Sequence, residues 1–143
     1  MTHIDFYILS DNTLAARDHF ACRLADKAAN MGRQVVISVN DESHAESMSQ
    51  YLWSFRPESF APHCYTHQAE NTPKEKILID WQGHTQAYHD VLINLKHEIP
   101  PEFSHFQKLS EIVVQEESLL PITRNHFQFY RDRGYPLKSH KIN

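Results

Sequence analysis

Two short apolar runs, each followed at once by a capping residue and a helical pattern, constrain this chain more than any other feature. Residues 4–9 read as a buried strand that ends at Ser10-Asp11-Asn12, where Asp11 or Asn12 can cap a helix. That helix carries Leu14, Ala21, Leu24, Ala25 and Ala28 on one face and stops near Gly32. Residues 34–39 form a second strand pattern, Asn40-Asp41 a second cap, and Ala45, Met48 and Leu52 the inner face of a second helix. A β-α-β-α opening of this kind demands parallel strands with helices laid across the sheet.

The pattern continues with strands over 76–81 and 90–95, then a short helix started by Pro100 or Pro101 and running through Lys108. A fifth strand is predicted over 112–114. Ser118 is the expected N-cap of a last helix that reaches about Arg133 and is stopped by Gly134. Residues 56–62 and 68–75 read as loops. The whole points to a single three-layer α/β/α, Rossmann-like domain over residues 1–143, with a mainly parallel central sheet. At 143 residues and 41% hydrophobic, the chain can bury a core without disulfide or metal staples. Cys22 and Cys64 are its two cysteines, and no export signal or apolar run of about 18 residues is present, which suits a reducing cytoplasm.

Charge is distributed unevenly. The chain has a formal net charge of -4, yet from Ile122 onward Arg124, Arg131, Arg133, Lys138 and Lys141 face Asp132 alone. Phe127, Phe129, Tyr130 and Tyr135 lie between them. A cationic, aromatic end on an acidic body suggests local docking of something anionic, and a pI of about 6.2 argues against broad binding to DNA.

Catalytic chemistry finds little support. The turn at residues 10–13 is where a nucleotide-binding fold would place glycines, but Gly32, Gly83 and Gly134 are the chain's three and fit neither GxGxxG nor a P-loop. Asp11 and Asp80 fall near strand ends, where magnesium chemistry or plain turn formation would each use them; neither has a second carboxylate beside it, so turn formation is preferred. The adjacent His63-Cys64 pair is not spaced as nucleophile and base, and no histidine pair comes with a convincing acidic ligand. No catalytic, cofactor or metal residue is assigned.

Two segments suit binding better. Trp53, Phe55, Arg56, Pro57, Ser59, Phe60 and Pro62 place three large aromatics close together, either tucked beneath their loop or exposed to a partner. The last helix separates into two stripes. Leu119, Ile122, His126, Phe129 and Tyr130 form a core-like face. Leu120, Arg124, Phe127 and Arg131 alternate apolar and guanidinium groups, which suits either a solvated face or an anion. Guanidinium forks bind carboxylates while an aromatic floor accepts an apolar side chain, so an acidic peptide with a hydrophobic end or a nucleic-acid backbone fits.

Together these residues resemble the chi subunit family of bacterial DNA polymerase III. The resemblance lies in the opening FYIL with DNT after it, the run Arg33-Gln34-Val35-Val36-Ile37, and the loop Leu52-Trp53 with Pro57, Ser59, Phe60, Pro62 and His63. At the end it lies in Glu111-Ile112-Val113 and in Arg124, Phe127, Tyr130, Arg131, Gly134 and Tyr135. It implies a non-enzymatic, cofactor-free accessory subunit of the clamp-loader assembly. Its implied partners are the psi subunit, in some members a helicase in place of psi, and the acidic, phenylalanine-ended tail of single-stranded-DNA-binding protein. By position, Arg124 matches a basic residue of the tail site, Phe127 stands where tyrosine is usual, and Val113 or Val114 matches an apolar wall, with Leu120 and Arg131 on the same stripe. Trp53 and Phe60, with Pro57 between them, match the psi or helicase surface. Leu120 and Gln128 stand where lysines occur in better-known members, so the central arginine loses flanking charge. A small nucleotide-binding enzyme and a direct single-stranded DNA binder are the alternatives; the missing glycines oppose the first and the acidic body the second.

Overall fold

A computed structural model of the chain describes residues 1–54, 62–68 and 75–142. Among them, seven strands form one sheet: β1 (His3–Leu9), β2 (Val35–Ser38), β3 (His63–Tyr65), β4 (Ile77–Asp80), β5 (Val91–Asn94), β6 (Lys108–Val113) and β7 (Leu137–Ile142). Their order is β3-β4-β2-β5-β6-β1-β7 and every pairing is parallel. Helices α1 (Leu14–Asn30) and α2 (Glu42–Ser54) cover one face, and α3 (Leu120–Asp132) packs on the other. This is the layered, parallel, Rossmann-like architecture that the opening units predict.

Burial on both faces explains the composition of the central strands. All four residues of β2, β4 and β5 are buried. Strand alternation sends Val35, Ile37, Ile79 and Ile93 to the α1–α2 side, where Ala21, Ala25, Met48 and Leu52 meet them. It sends Val36, Leu78 and Leu92 to the other side, where they share a cluster with Phe6, Phe103, Phe106 and Tyr130. The small residues of α1 let that helix lie close to the sheet. Leu14, expected on the same face, is instead 51% exposed, because it precedes the point where α1 reaches the sheet.

The caps follow the sequence in part. Asp41 caps α2, its Oδ1 accepting the His44 N–H at 2.8 Å. Asp41→Ala should therefore cost about 1 kcal/mol, the usual loss for an N-cap, measured as a lowered urea midpoint with an unchanged slope. Helix α1 is capped by Thr13, whose Oγ1 accepts the Ala16 N–H at 3.1 Å, and not by Asp11 or Asn12. It ends at Gly32 (φ 81), as expected of a left-handed stop.

Other boundaries differ. The helix expected from Pro100 or Pro101 through Lys108 is a single 3-10 turn, Phe103–His105, because Phe103 and Phe106 are drawn into the core and the chain then extends into β6. Strand β6 accordingly begins at Lys108, well before the predicted start at Ile112. Strands β3 and β7 were not predicted. β3 has three residues, and β7 is a polar edge strand with no alternating apolar pattern to reveal it.

Candidate protein-docking site

Helix α3 is the candidate site, and a buried polar network sets its rotation. Glu111 is 2% exposed and sits in the middle of β6, facing α3 between Leu109 and Val113 of the same strand face. Its carboxylate accepts hydrogen bonds from Asn94 Nδ2 at 2.9 Å and from the Tyr130 hydroxyl at 2.8 Å. His126 Nδ1 lies 3.1 and 3.2 Å from the two Glu111 oxygens. Its Nε2 is 2.8 Å from the His97 carbonyl, which can only accept, so Nε2 carries a proton. Burial alone would lower the His126 pKa; the Glu111 carboxylate and the His97 carbonyl outweigh it and hold the imidazole above its ordinary value. Burial, reinforced by Glu111, pushes the Tyr130 phenol far up, so it stays a neutral donor.

Aromatic packing completes the anchor. Tyr130 is fully buried, with ring centroids 5.5 Å from Phe103 and 6.1 Å from Phe6. Phe129 packs edge-on to Phe103 at 6.0 Å, and the Arg133 guanidinium lies over its ring at 3.7 Å. The start of α3 is organised differently from expectation. Leu119 holds the N-cap position without a side-chain bond, and Ser118 is not the cap. Instead Glu116 accepts the Ser118 and Leu119 N–H groups, each at 3.1 Å, together with the Ser118 hydroxyl. The Ser118 bonds hold the Glu116 carboxyl below its ordinary range. Gly134 (φ 78) ends α3 as predicted.

With His126 and Tyr130 pointing inward, helical geometry places Leu120, Arg124, Phe127 and Arg131 within an arc of about 60° on the helix flank. Arg124 and Arg131 are exposed, and neither makes an ion pair among the described residues. Phe127 is half-buried, its ring edge-on to Phe6 at 5.2 Å. Val113 packs against the same cluster as Phe127. Val114 is 1% exposed in the other cluster, with Leu119, so Val113 rather than Val114 stands on the Phe127 side. Leu120 is half-buried at the start of the flank. The basic residues of the chain end do not all gather here. Arg133 is stacked on Phe129, and Lys138 lies across the sheet, lining a cleft with His3 and Asp5.

The second predicted surface is described only in part. Trp53 lies in the last turn of α2, is 54% exposed, and meets the His63 ring edge-on at 5.5 Å. Pro57 and Phe60, like Phe55, lie outside the described residues.

The alternative sites have structural explanations. The crevice between β1 and β6, whose connections leave to opposite faces, is where a Rossmann-like sheet would take a nucleotide. Here Gln115 bridges it, its N–H donating to the Asp11 carbonyl at 2.7 Å and its Nε2 to the Leu9 carbonyl at 3.0 Å. Asp80 organises a turn, accepting Thr66 Oγ1 at 2.6 Å and the Gly83 and His84 N–H groups at 3.0 Å. β4 and β1 are four strand spacings apart, about 19 Å, so Asp80 and Asp11 cannot share a cation. Burial pushes the Cys64 thiol up to about 11 and the Cys22 thiol up to about 12, the opposite of an activated nucleophile.

Comparison with known proteins adds a family to these observations. The family described as DNA polymerase III chi subunit, HolC, matches residues 1–138. The chain belongs to the DNA polymerase III chi subunit family. It is similar to DNA polymerase III subunit chi of Pseudomonas aeruginosa, 37% identical over 142 residues, covering 99% of this chain and 98% of the relative. The Haemophilus influenzae subunit chi is 32% identical over 139 residues, covering 96% and 95%. That of Escherichia coli is 28% identical over 146 residues, covering 97% of each. Membership of the chi family carries a role as an accessory component of DNA replication. The sequence signal that would have exposed the anchor of its last helix is Glu111, a lone carboxylate in the strand segment Leu109-Ser110-Glu111-Ile112-Val113.

Proposed function

We propose that this chain is a non-catalytic adaptor that links the clamp loader, through a psi subunit, to the acidic tail of single-stranded-DNA-binding protein. What supports this is the flank of α3. Exposed Arg124 and Arg131 bracket half-buried Phe127, which packs on the same apolar cluster as Val113. A terminal carboxylate would meet Arg124, upstream acids Arg131, and a terminal phenylalanine ring the Phe127–Val113–Leu120 surface. Trp53, with Pro57 and Phe60, belongs to the psi surface or, in its place, to a helicase surface. Work at a replication fork places the protein in the cytoplasm.

Titration calorimetry with an acidic, phenylalanine-ended peptide tests the tail site. Binding is expected, and it should vanish when the last residue is removed, because the ring and its adjoining carboxylate go together. Equal binding of the truncated peptide would rule the site out. Trp53→Ala should leave tail affinity unchanged and weaken capture of psi. Loss of both in a folded variant would mean that the two surfaces are one.

A further inference from the structure

We propose that the open sheet face at the amino ends of β6, β1 and β7 is a second docking cleft, which takes a short acidic segment of a partner protein bearing one apolar residue. It lies on the α1 side of the sheet, so the sheet separates it from the α3 flank, and it does not depend on the tail-binding role. Phe20 of α1 packs on Tyr7 at 5.5 Å, and beyond Tyr7 the lining of the outer cleft contains no helix residue. A cleft of about 410 Å³ remains there, floored by Asp5 and Tyr7. A second hollow of about 230 Å³ shares Tyr7, Arg33 and Lys108 with it and extends beneath the end of α1.

The two ends differ chemically. At the β7 end, alternation turns Lys138 and His140 into the cleft beside Lys108. Asp5 on the floor is already paired with Lys108, Nζ at 3.3 Å, and His140 Nε2 lies 2.9 Å from its Oδ1. Arg33 likewise is held by Asp90, its Nε donating to Oδ1 at 2.6 Å. Lys138 and, at the α1 rim, Lys27 make no ion pair among the described residues. The α1 end adds an apolar wall, Leu24, Ala28, Val91 and a 70% exposed Met31, beside Lys27 and the Asp90-bound Arg33.

This polarity selects the occupant. From β5 to β7 is three strand spacings, about 14 Å, the length of about four extended residues. Carboxylates would meet Lys138 at one end and Lys27 toward the other, and an apolar side chain would cover Met31. A nucleic-acid backbone fits less well. Useful affinity for it needs many neutralised phosphates, whereas the cleft offers two uncommitted lysines on a chain of net charge -4.

The experiment uses the full chain and a fluorescent peptide of four acidic residues followed by leucine, amidated so that it lacks the terminal carboxylate and phenylalanine of the tail. Anisotropy should report salt-sensitive binding. The double variant Lys27→Glu, Lys138→Glu should weaken it about tenfold, as expected for reversing two partly screened charge contacts, with circular dichroism unchanged. Replacing the peptide leucine by glycine should weaken it further, and Arg124→Ala should leave it unchanged. Absence of binding, insensitivity to the double variant, or loss in Arg124→Ala would each overturn the proposal. So would displacement of the peptide by oligothymidine, which would make the cleft a nucleic-acid surface. The phenylalanine-ended tail peptide, run in parallel, should respond to Arg124→Ala and not to the double variant, so failure of one site is distinguishable from failure of the other.

Discussion

Glu111→Ala should destabilise the folded chain by roughly 3–5 kcal/mol, the range for removing one member of a buried charged pair. The substitution leaves the Tyr130 hydroxyl, Asn94 Nδ2 and His126 Nδ1 facing a buried cavity without their acceptor. Urea denaturation followed by circular dichroism measures it. Glu111→Gln keeps a carbonyl acceptor of the same shape and should lose less. A cost below about 1 kcal/mol for the alanine variant, a typical surface change, would mean that the network does not hold α3.

The same pair gives a pH dependence whose sign is determined. In the folded chain the His126 pKa lies above its ordinary value, so its protonated form is favoured by folding. Its contribution is fully present below the unfolded value of about 6.5 and is lost as pH rises through the higher folded value. The stability difference between the natural chain and His126→Asn should therefore shrink with rising pH above about 6.5. Taking the difference removes the titration of the other histidines. A difference that grew with pH would place the proton elsewhere.

Arg124→Ala should lower affinity for the phenylalanine-ended tail peptide by roughly 1.5–3 kcal/mol, the worth of a hydrogen bond to a charged group, or about 10–150-fold. The effect should sit at the upper end of that range. Leu120 and Gln128 bring no charge, Arg133 is engaged with Phe129, and Lys138 is across the sheet, so on α3 itself Arg131 is the flank's other cation. Calorimetry showing unchanged affinity would remove Arg124 from the site. Because few charges remain, affinity should also fall less steeply with salt than at a lysine-rich site.

Much of the fold was legible because its signals are local. β2, β4 and β5 are apolar runs that end on a single polar residue, β1 is an apolar stretch interrupted by Asp5, and Ala45, Met48 and Leu52 recur at helical spacing, so their burial follows from short-range pattern. The site was legible as a stripe, since Leu120, Arg124, Phe127 and Arg131 share a flank on any α-helix. Less visible was what each stripe would meet. Phe127 looked like a free aromatic floor and is instead a ring braced on Phe6, 121 positions earlier in the sequence. β7 was hidden because an edge strand needs no apolar alternation.

The sequence by itself determined the alternation of strands and capped helices, the absence of glycines at the first turn, and the concentration of cations near its end. Only the tertiary structure decided where those cations go. β1 takes β6 on one side and β7 on the other, pairings between segments more than a hundred residues apart that no local pattern encodes. Once β7 is in place, the two-residue period of a strand turns Lys138 and His140 toward the α1 side, while α3 carries Arg124 and Arg131 on the opposite layer. One basic segment in sequence thus becomes two surfaces, because a sheet lies between them.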